Sequence, residues 1–170
     1  MLMFEWIDRF DLLCFDFDGL LVNTEDLHYE AYKNMLFKHA YHLPWSFQQY
    51  CLEAHVSTAF LRSAIYGLFP DLEKIEPNWE ILRHEKNQIY LDLINQERLH
   101  LMEGVKELLK KIASSDVKAC VVTNSTRDQI EFIREKLPAL SAIQHWITRE
   151  DYLNSKPKPD GYLKAIEKHA

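Results

Sequence analysis

Two aspartates two positions apart, Asp16 and Asp18, follow the apolar run Leu12-Leu13-Cys14-Phe15. A short continuous apolar run suits a strand covered on both faces, and residues i and i+2 of a strand point to one side. Carboxylates held that close repel each other, so either one becomes easier to protonate or both are balanced by a cation. The first outcome supports a division of labour in which one carboxylate attacks and the other handles a proton. The second describes an Mg²⁺ site, because Mg²⁺ takes oxygen ligands, commonly one or two carboxylates together with a substrate phosphate. A solvated acidic turn closed by Gly19 is the plain alternative, since Asp and Gly are frequent turn residues.

A second polar group, Thr123-Asn124-Ser125, ends the apolar run Ala119-Cys120-Val121-Val122. Hydroxyls and free amides at a strand end beside a helix N-terminus suit an anion. The competing reading is local: Ser125, paired with Asp128, caps the next helix, and Thr123 is a turn residue. Lys156 lies in Ser155-Lys156-Pro157-Lys158-Pro159-Asp160. Each proline biases the preceding residue toward extended backbone, and a stiffened loop can aim an ammonium at a phosphate. Its bland counterpart is an exposed lysine on a surface loop.

The elements that must position these side chains alternate. Leu12–Phe15 is a strand. From Thr24 to about Arg98 the apolar spacing is three and four, with Leu27, Ala31 and Met35 on one face and further helices over 57–66 and 79–94. Breakers at Pro44, Gly67-Leu68-Phe69-Pro70 and Pro77 divide this segment. A helix through Val105, Leu108, Leu109 and Ile112 precedes the second strand, a third strand is expected over 142–147, and Pro159 opens a last helix over 160–169. Strand, helical insert, then helix and strand in alternation imply an α/β fold with a Rossmann-like parallel sheet and an inserted all-helical domain. The expected boundaries are 1–23 and 102–170 for the α/β core and 24–101 for the insert. Asp16, Thr123 and Lys156 then all fall just after strands, where open α/β sheets bind ligands.

Composition narrows the partners. The chain has 170 residues, 47% hydrophobic and 27% charged, with a formal charge of −6. Without a basic stripe, a nucleic-acid backbone is not an expected partner. No apolar run approaches the ~20 residues of a membrane span. Met1-Leu2-Met3-Phe4-Glu5-Trp6 lacks the basic flank of a signal peptide. Three cysteines, Cys14, Cys51 and Cys120, form no CxxC pair and suit a reducing compartment, so a cytoplasmic protein is expected. Cys14 and Cys120, inside apolar runs, are expected to be small buried hydrophobes.

Taken in order, the three polar segments resemble motifs I, II and III of the haloacid dehalogenase superfamily. Asp16-Phe17-Asp18-Gly19-Leu20-Leu21-Val22 with Asn23-Thr24-Glu25 resembles its DxDGxL…DTE signature. Val121-Val122-Thr123-Asn124-Ser125 resembles its second motif, and Lys156-Pro157-Lys158-Pro159-Asp160-Gly161-Tyr162 its KPxPDxY segment. Glu103-Gly104-Val105 is similar to the family's return into the core. The chain is most similar to the β-phosphoglucomutase-like phosphatases, in which His28 matches a His at the entry to the helical cap and Lys86 a cap Lys. The plain reading of these two is a half-buried His packed on Tyr32 and an exposed helical Lys.

The resemblance implies a Mg²⁺-dependent phosphatase acting on a small phosphorylated metabolite through an aspartyl-phosphate. Asp16 would be the nucleophile and Asp18 the acid and base. Mg²⁺ would be held by Asp16 and Asp18, Lys156 would offset charge, and Thr123 would hold phosphoryl oxygens. Gly19, Asn124, Ser125, His28 and Lys86 would contact substrate. With a sugar hydroxyl as acceptor the same site would make a β-phosphoglucomutase-type mutase. The family's fourth, acidic motif does not occur before Lys168-His169-Ala170. That ending predicts a fragment, a truncated product or a chain completed by another copy. It also predicts weak Mg²⁺ affinity and self-association through an open sheet edge, and it admits a non-catalytic binding protein as the reading of another class.

Overall fold

A computed structural model of the chain describes residues 4–169. It divides into two compact units, one formed by the segments up to Asn23 and from His100 on, the other by Thr24–Leu99.

The first unit is built on a parallel sheet. Strands β1 (Leu12–Phe15), β2 (Lys118–Val122) and β3 (His145–Ile147) lie in the order β1-β2-β3, with Cys14 beside Cys120 and Val121 beside Trp146. Three helices belong to this unit: α6 (Val105–Ala113), α7 (Arg127–Lys136) and α8 (Asp160–His169). Alternation sends Cys120 and Val122 to one face of β2, where they join Ile147, Tyr152 and Ala165 of α8, with Leu12 packed against the group. Ala119 and Val121 face the other way and are equally buried. A middle strand covered on both faces needs an unbroken apolar sequence, which β2 has. Burying each Val or Ile there contributes on the order of 1.5–3 kcal/mol.

Several expectations require correction. Cys14 is exposed rather than buried. It shares a face with Leu12 on β1, which stands at one end of the sheet order, so neighbours flank it on one side only among the described residues. The third strand is shorter than expected: a 3₁₀ turn occupies Pro138–Ala142 and pairing begins at His145. Helix α7 is capped not by Ser125 with Asp128 but by Thr126 with Gln129, whose side-chain oxygen accepts the Thr126 N–H at 3.3 Å. The hydroxyl of Ser125 is used elsewhere.

The two segments leading to and from the helical unit are tied together inside the first unit. Val22 bridges Asp18 on one side and Leu101 on the other. Asn23 donates its N–H to His100 O at 3.1 Å, and its side-chain oxygen accepts the His100 N–H at 2.7 Å. Asn23 is buried, so these bonds satisfy groups that water does not reach.

The helical unit contains α1 (Thr24–Lys38), α2 (Phe47–Ala54), α3 (Thr58–Leu68), α4 (Pro70–Ile75) and α5 (Trp79–Leu93), the last running into a π-helical turn at Ile94–Arg98. Leu27, Ala31 and Met35 form the expected buried stripe on α1, against which α5 packs. Helix starts follow local chemistry. Ser46 and Gln49 make a capping box, Ser57 and Asn78 cap α3 and α5, and Pro70 occupies the first turn of α4. No helix among the described residues is long and apolar enough to cross a membrane.

Candidate active site

The first two polar segments follow strands of the first unit, whereas Lys156, expected just after a strand, lies in the turn between the 3₁₀ segment Arg149–Asp151 and α8. Asp16 directly follows β1. Its Oδ1 accepts the Phe17 N–H at 2.7 Å and the Lys156 ammonium at 2.5 Å. Both bonds fall on one oxygen, and Asp16 remains about half exposed (47%). The ammonium of Lys156 also donates to Val122 O at 3.0 Å, so its position is set by the end of β2. The loop carrying Lys156 is tied back as well: its N–H donates to Asn124 Oδ1 at 3.0 Å.

Asp18 accepts from two hydroxyls. Its Oδ2 accepts from Ser125 Oγ at 2.6 Å and from Thr123 Oγ1 at 3.2 Å. Thr123 is fully buried, and its Oγ1 accepts the Ser125 N–H at 3.0 Å. The two carboxylates thus differ in partners shown here: the Lys156 ammonium bonds Asp16, and two hydroxyls bond Asp18. Such asymmetry lets one act as nucleophile and the other as proton carrier.

Gly19 has a φ of +69°, which suits the turn after Asp18, and its N–H is taken up by Val22 O at 2.9 Å. Asn124 is engaged by Lys156 and by Tyr152. Tyr152 is a residue that the sequence reading missed. It is buried, and its hydroxyl lies 2.6 Å from Thr123 O and 2.8 Å from Asn124 Oδ1. Burial raises the phenol's pKa, Arg149 lowers it and Asp16 adds to the rise, so the group stays a donor at neutral pH. Nothing in the local sequence marks Tyr152, because its partners lie about 30 positions away along the chain.

His28 and Lys86, expected to contact substrate, lie in the helical unit and bond to each other. The Lys86 ammonium donates to His28 Nδ1 at 2.7 Å and to Asn87 Oδ1 at 3.3 Å, with the Tyr32 and Tyr90 rings 5.1 and 5.2 Å away. The plain reading of an exposed Lys is therefore corrected: Lys86 is buried. His28 is half-buried, as expected, and stacks on Tyr90 with ring centroids 4.0 Å apart. Burial, reinforced by the Lys86 charge, holds the imidazole pKa well below its usual 6.5. Neutral Nδ1 is the acceptor that the ammonium needs.

The first-unit cluster fits Mg²⁺. Its donors are hard oxygens, and Asp16 Oδ2 takes neither of the bonds that fall on Oδ1. Asp16 Oδ2 and the Asp18 backbone carbonyl are the groups that would hold the ion.

An α/β unit with acids after its first strand, hydroxyls after its second and a lysine on a later loop, interrupted by a helical insert, is the architecture of haloacid dehalogenase-like hydrolases. The chain belongs to that family: the haloacid dehalogenase-like hydrolase family model matches residues 13–170. Protein CbbY of Rhodobacter capsulatus is 26% identical over 162 residues, spanning 91% of this chain and 70% of that protein. A phosphorylated carbohydrates phosphatase of Thermotoga maritima is 25% identical over 162 residues, spanning 93% and 70%. Among solved folds, CbbY from Rhodobacter sphaeroides in complex with phosphate superposes with a TM-score of 0.67 at 18% identity, covering 92% of this chain and 71% of that one. The family match marks the chain as a haloacid dehalogenase-like hydrolase, and a phosphatase stands among its relatives.

Proposed function

We propose that the protein hydrolyses a small phosphate monoester, with Mg²⁺, through an aspartyl-phosphate on Asp16. The observation that carries this reading is the 2.5 Å contact between Lys156 Nζ and Asp16 Oδ1 beside the hydroxyl-bound Asp18.

An anionic carboxylate approaching an anionic phosphate is repelled, and the Lys156 ammonium offsets that repulsion. A carboxylate oxygen of Asp16 forms a bond to phosphorus as the bond to the leaving oxygen breaks. Asp18, entering as the acid, gives its proton to that oxygen. Water then attacks the aspartyl-phosphate and Asp18 takes its proton, which releases phosphate and restores Asp16. Thr123 and Ser125 orient Asp18 through Oδ2, and because each hydroxyl has one proton it must turn from Asp18 to donate to a phosphoryl oxygen. When bound, Mg²⁺ supplies further positive charge against those oxygens. The enzyme works in the cytoplasm, where Cys14, Cys51 and Cys120 stay reduced.

The test is phosphate release from a panel of phosphate monoesters with Mg²⁺, wild type against Asp16→Asn. Loss of about a thousandfold or more is expected on removing the nucleophile. Unaltered turnover in Asp16→Asn would overturn the assignment. Isomerised sugar phosphate without free phosphate would indicate a mutase instead.

A further inference from the structure

A different set of side chains, inside the helical unit, meets at a spacing that suits a softer metal. Cys51 lies in the last turn of α2 and His55 is its C-terminal cap, donating its backbone N–H to Cys51 O. Residues four apart share one helix face, so thiol and imidazole stand on neighbouring turns of the same side. Glu25, in the first turn of α1, faces them: His55 Nε2 is 3.4 Å from a Glu25 carboxylate oxygen. One ligand atom from each of Glu25, Cys51 and His55 lies within 4.8 Å of the other two. Metal bonds of about 2.0–2.3 Å place tetrahedral ligands roughly 3.3–3.8 Å apart, so small side-chain rotations close this set on one ion.

We propose that Glu25, Cys51 and His55 form a site for Zn²⁺ or a similar transition metal, separate from the Asp16 cluster. The donor set decides the class of ion. A thiolate with an imidazole and a carboxylate suits Zn²⁺, whereas Mg²⁺ and Ca²⁺ require oxygen ligands throughout. Access is also present. The His55 side chain is 66% exposed while that of Glu25 is 16% exposed, so an ion can be captured at the imidazole and settle against the carboxylate. Cys51 and His55 also line an open groove of about 480 Å³ along α2, which leaves room for water as the fourth ligand. On binding, the Cys51 S–H bond breaks, sulfur bonds to the metal and the proton passes to solvent. The metal would then pin the first turn of α1 to the end of α2.

Co²⁺ is the probe, added to the full chain with a phosphine reductant. One equivalent should produce the near-ultraviolet absorption of a thiolate–cobalt bond, and Zn²⁺ should displace it. Cys51→Ser should abolish the band. His55→Gln, at an exposed position that leaves the helix intact, should weaken Zn²⁺ binding by about 10- to 100-fold or more. Asp16→Asn should leave the band in place. Absence of the band in the wild type, its persistence in Cys51→Ser, or its loss in Asp16→Asn would each overturn the site.

Discussion

Lys156 Nζ reaches Asp16 Oδ1 at 2.5 Å across 140 positions of sequence, and the same ammonium is held by Val122 O at 3.0 Å. The charge is therefore anchored to the end of β2 rather than left to a flexible stem. On the proposed mechanism, anchoring of this kind matters for catalysis more than for stability. The pair is partly solvated, with Asp16 47% exposed, so its contribution to folding is on the order of 1 kcal/mol or less. Lys156→Met should lower kcat about 10²- to 10³-fold, as expected when a charge facing the transition state is removed. Urea unfolding should move by only about 1 kcal/mol. Several kcal/mol of lost stability with kcat unchanged would make Lys156 a structural residue instead.

Tyr152 supports the same corner from beneath. Its hydroxyl, 2.6 Å from Thr123 O, serves a buried carbonyl, and it also reaches the Asn124 side chain that holds Lys156 N. Tyr152→Phe keeps the ring and removes these bonds. The expected cost is about 1–2 kcal/mol, close to that of leaving a buried acceptor unpaired. Activity should fall less than in Lys156→Met. Chemical unfolding and steady-state kinetics on the two variants check the order, and a larger kinetic loss in Tyr152→Phe would place the phenol at the reacting atoms.

The fold class was legible because it depends on local pattern. Leu12–Phe15 and Ala119–Val122 read as buried strands from their apolar runs, and topology then brought the residues after them to one end of the sheet. Departures arise where a long-range partner outcompetes a local one. Ser125 reads as a cap, yet its hydroxyl goes to Asp18, and Thr126 takes over the capping. Cys14 reads as buried, but sheet order, which no single strand encodes, leaves it exposed. Lys86 reads as a surface residue, since nothing nearby in sequence announces that His28, 58 positions away, supplies its acceptor. The meeting of Glu25 with Cys51 and His55 is equally invisible until α1 and α2 pack.

Gly161 is a packing requirement of α8. A Cβ there would lie 2.7 Å from Val122 Cγ1 and 3.2–3.3 Å from the Tyr152 ring. Ala gains about 1 kcal/mol of helix propensity over Gly, whereas overpacking a full core costs about 1–3 kcal/mol. The second effect should win, so Gly161→Ala should destabilise by about 1–2 kcal/mol and lower activity through the displaced Val122 carbonyl. Gly67 is the control. A Cβ there meets nothing within 4 Å, so Gly67→Ala should stabilise by a few tenths to about 1 kcal/mol. Thermal unfolding of both variants checks the sign, and a stabilised Gly161→Ala would refute the packing argument.

His28 couples the helical unit to pH. Its imidazole pKa is held well below 6.5, first by burial and second by the Lys86 charge. Between that depressed value and 6.5 the unfolded chain binds a proton that the native chain refuses. The associated stability is present above pH 6.5 and is lost as pH falls, at up to about 1.4 kcal/mol per unit. His169 is depressed as well, chiefly by burial, so wild-type slopes contain both contributions. His28→Gln separates them, because its amide oxygen can accept from Lys86 without taking up a proton. Between pH 7 and 5.5 the wild type should lose about 1.3 kcal/mol more stability than His28→Gln. Urea unfolding at the two pH values measures this difference. Equal losses would mean that His28 titrates alike in folded and unfolded chains, and that the neutral Nδ1 acceptor assigned to Lys86 is wrong.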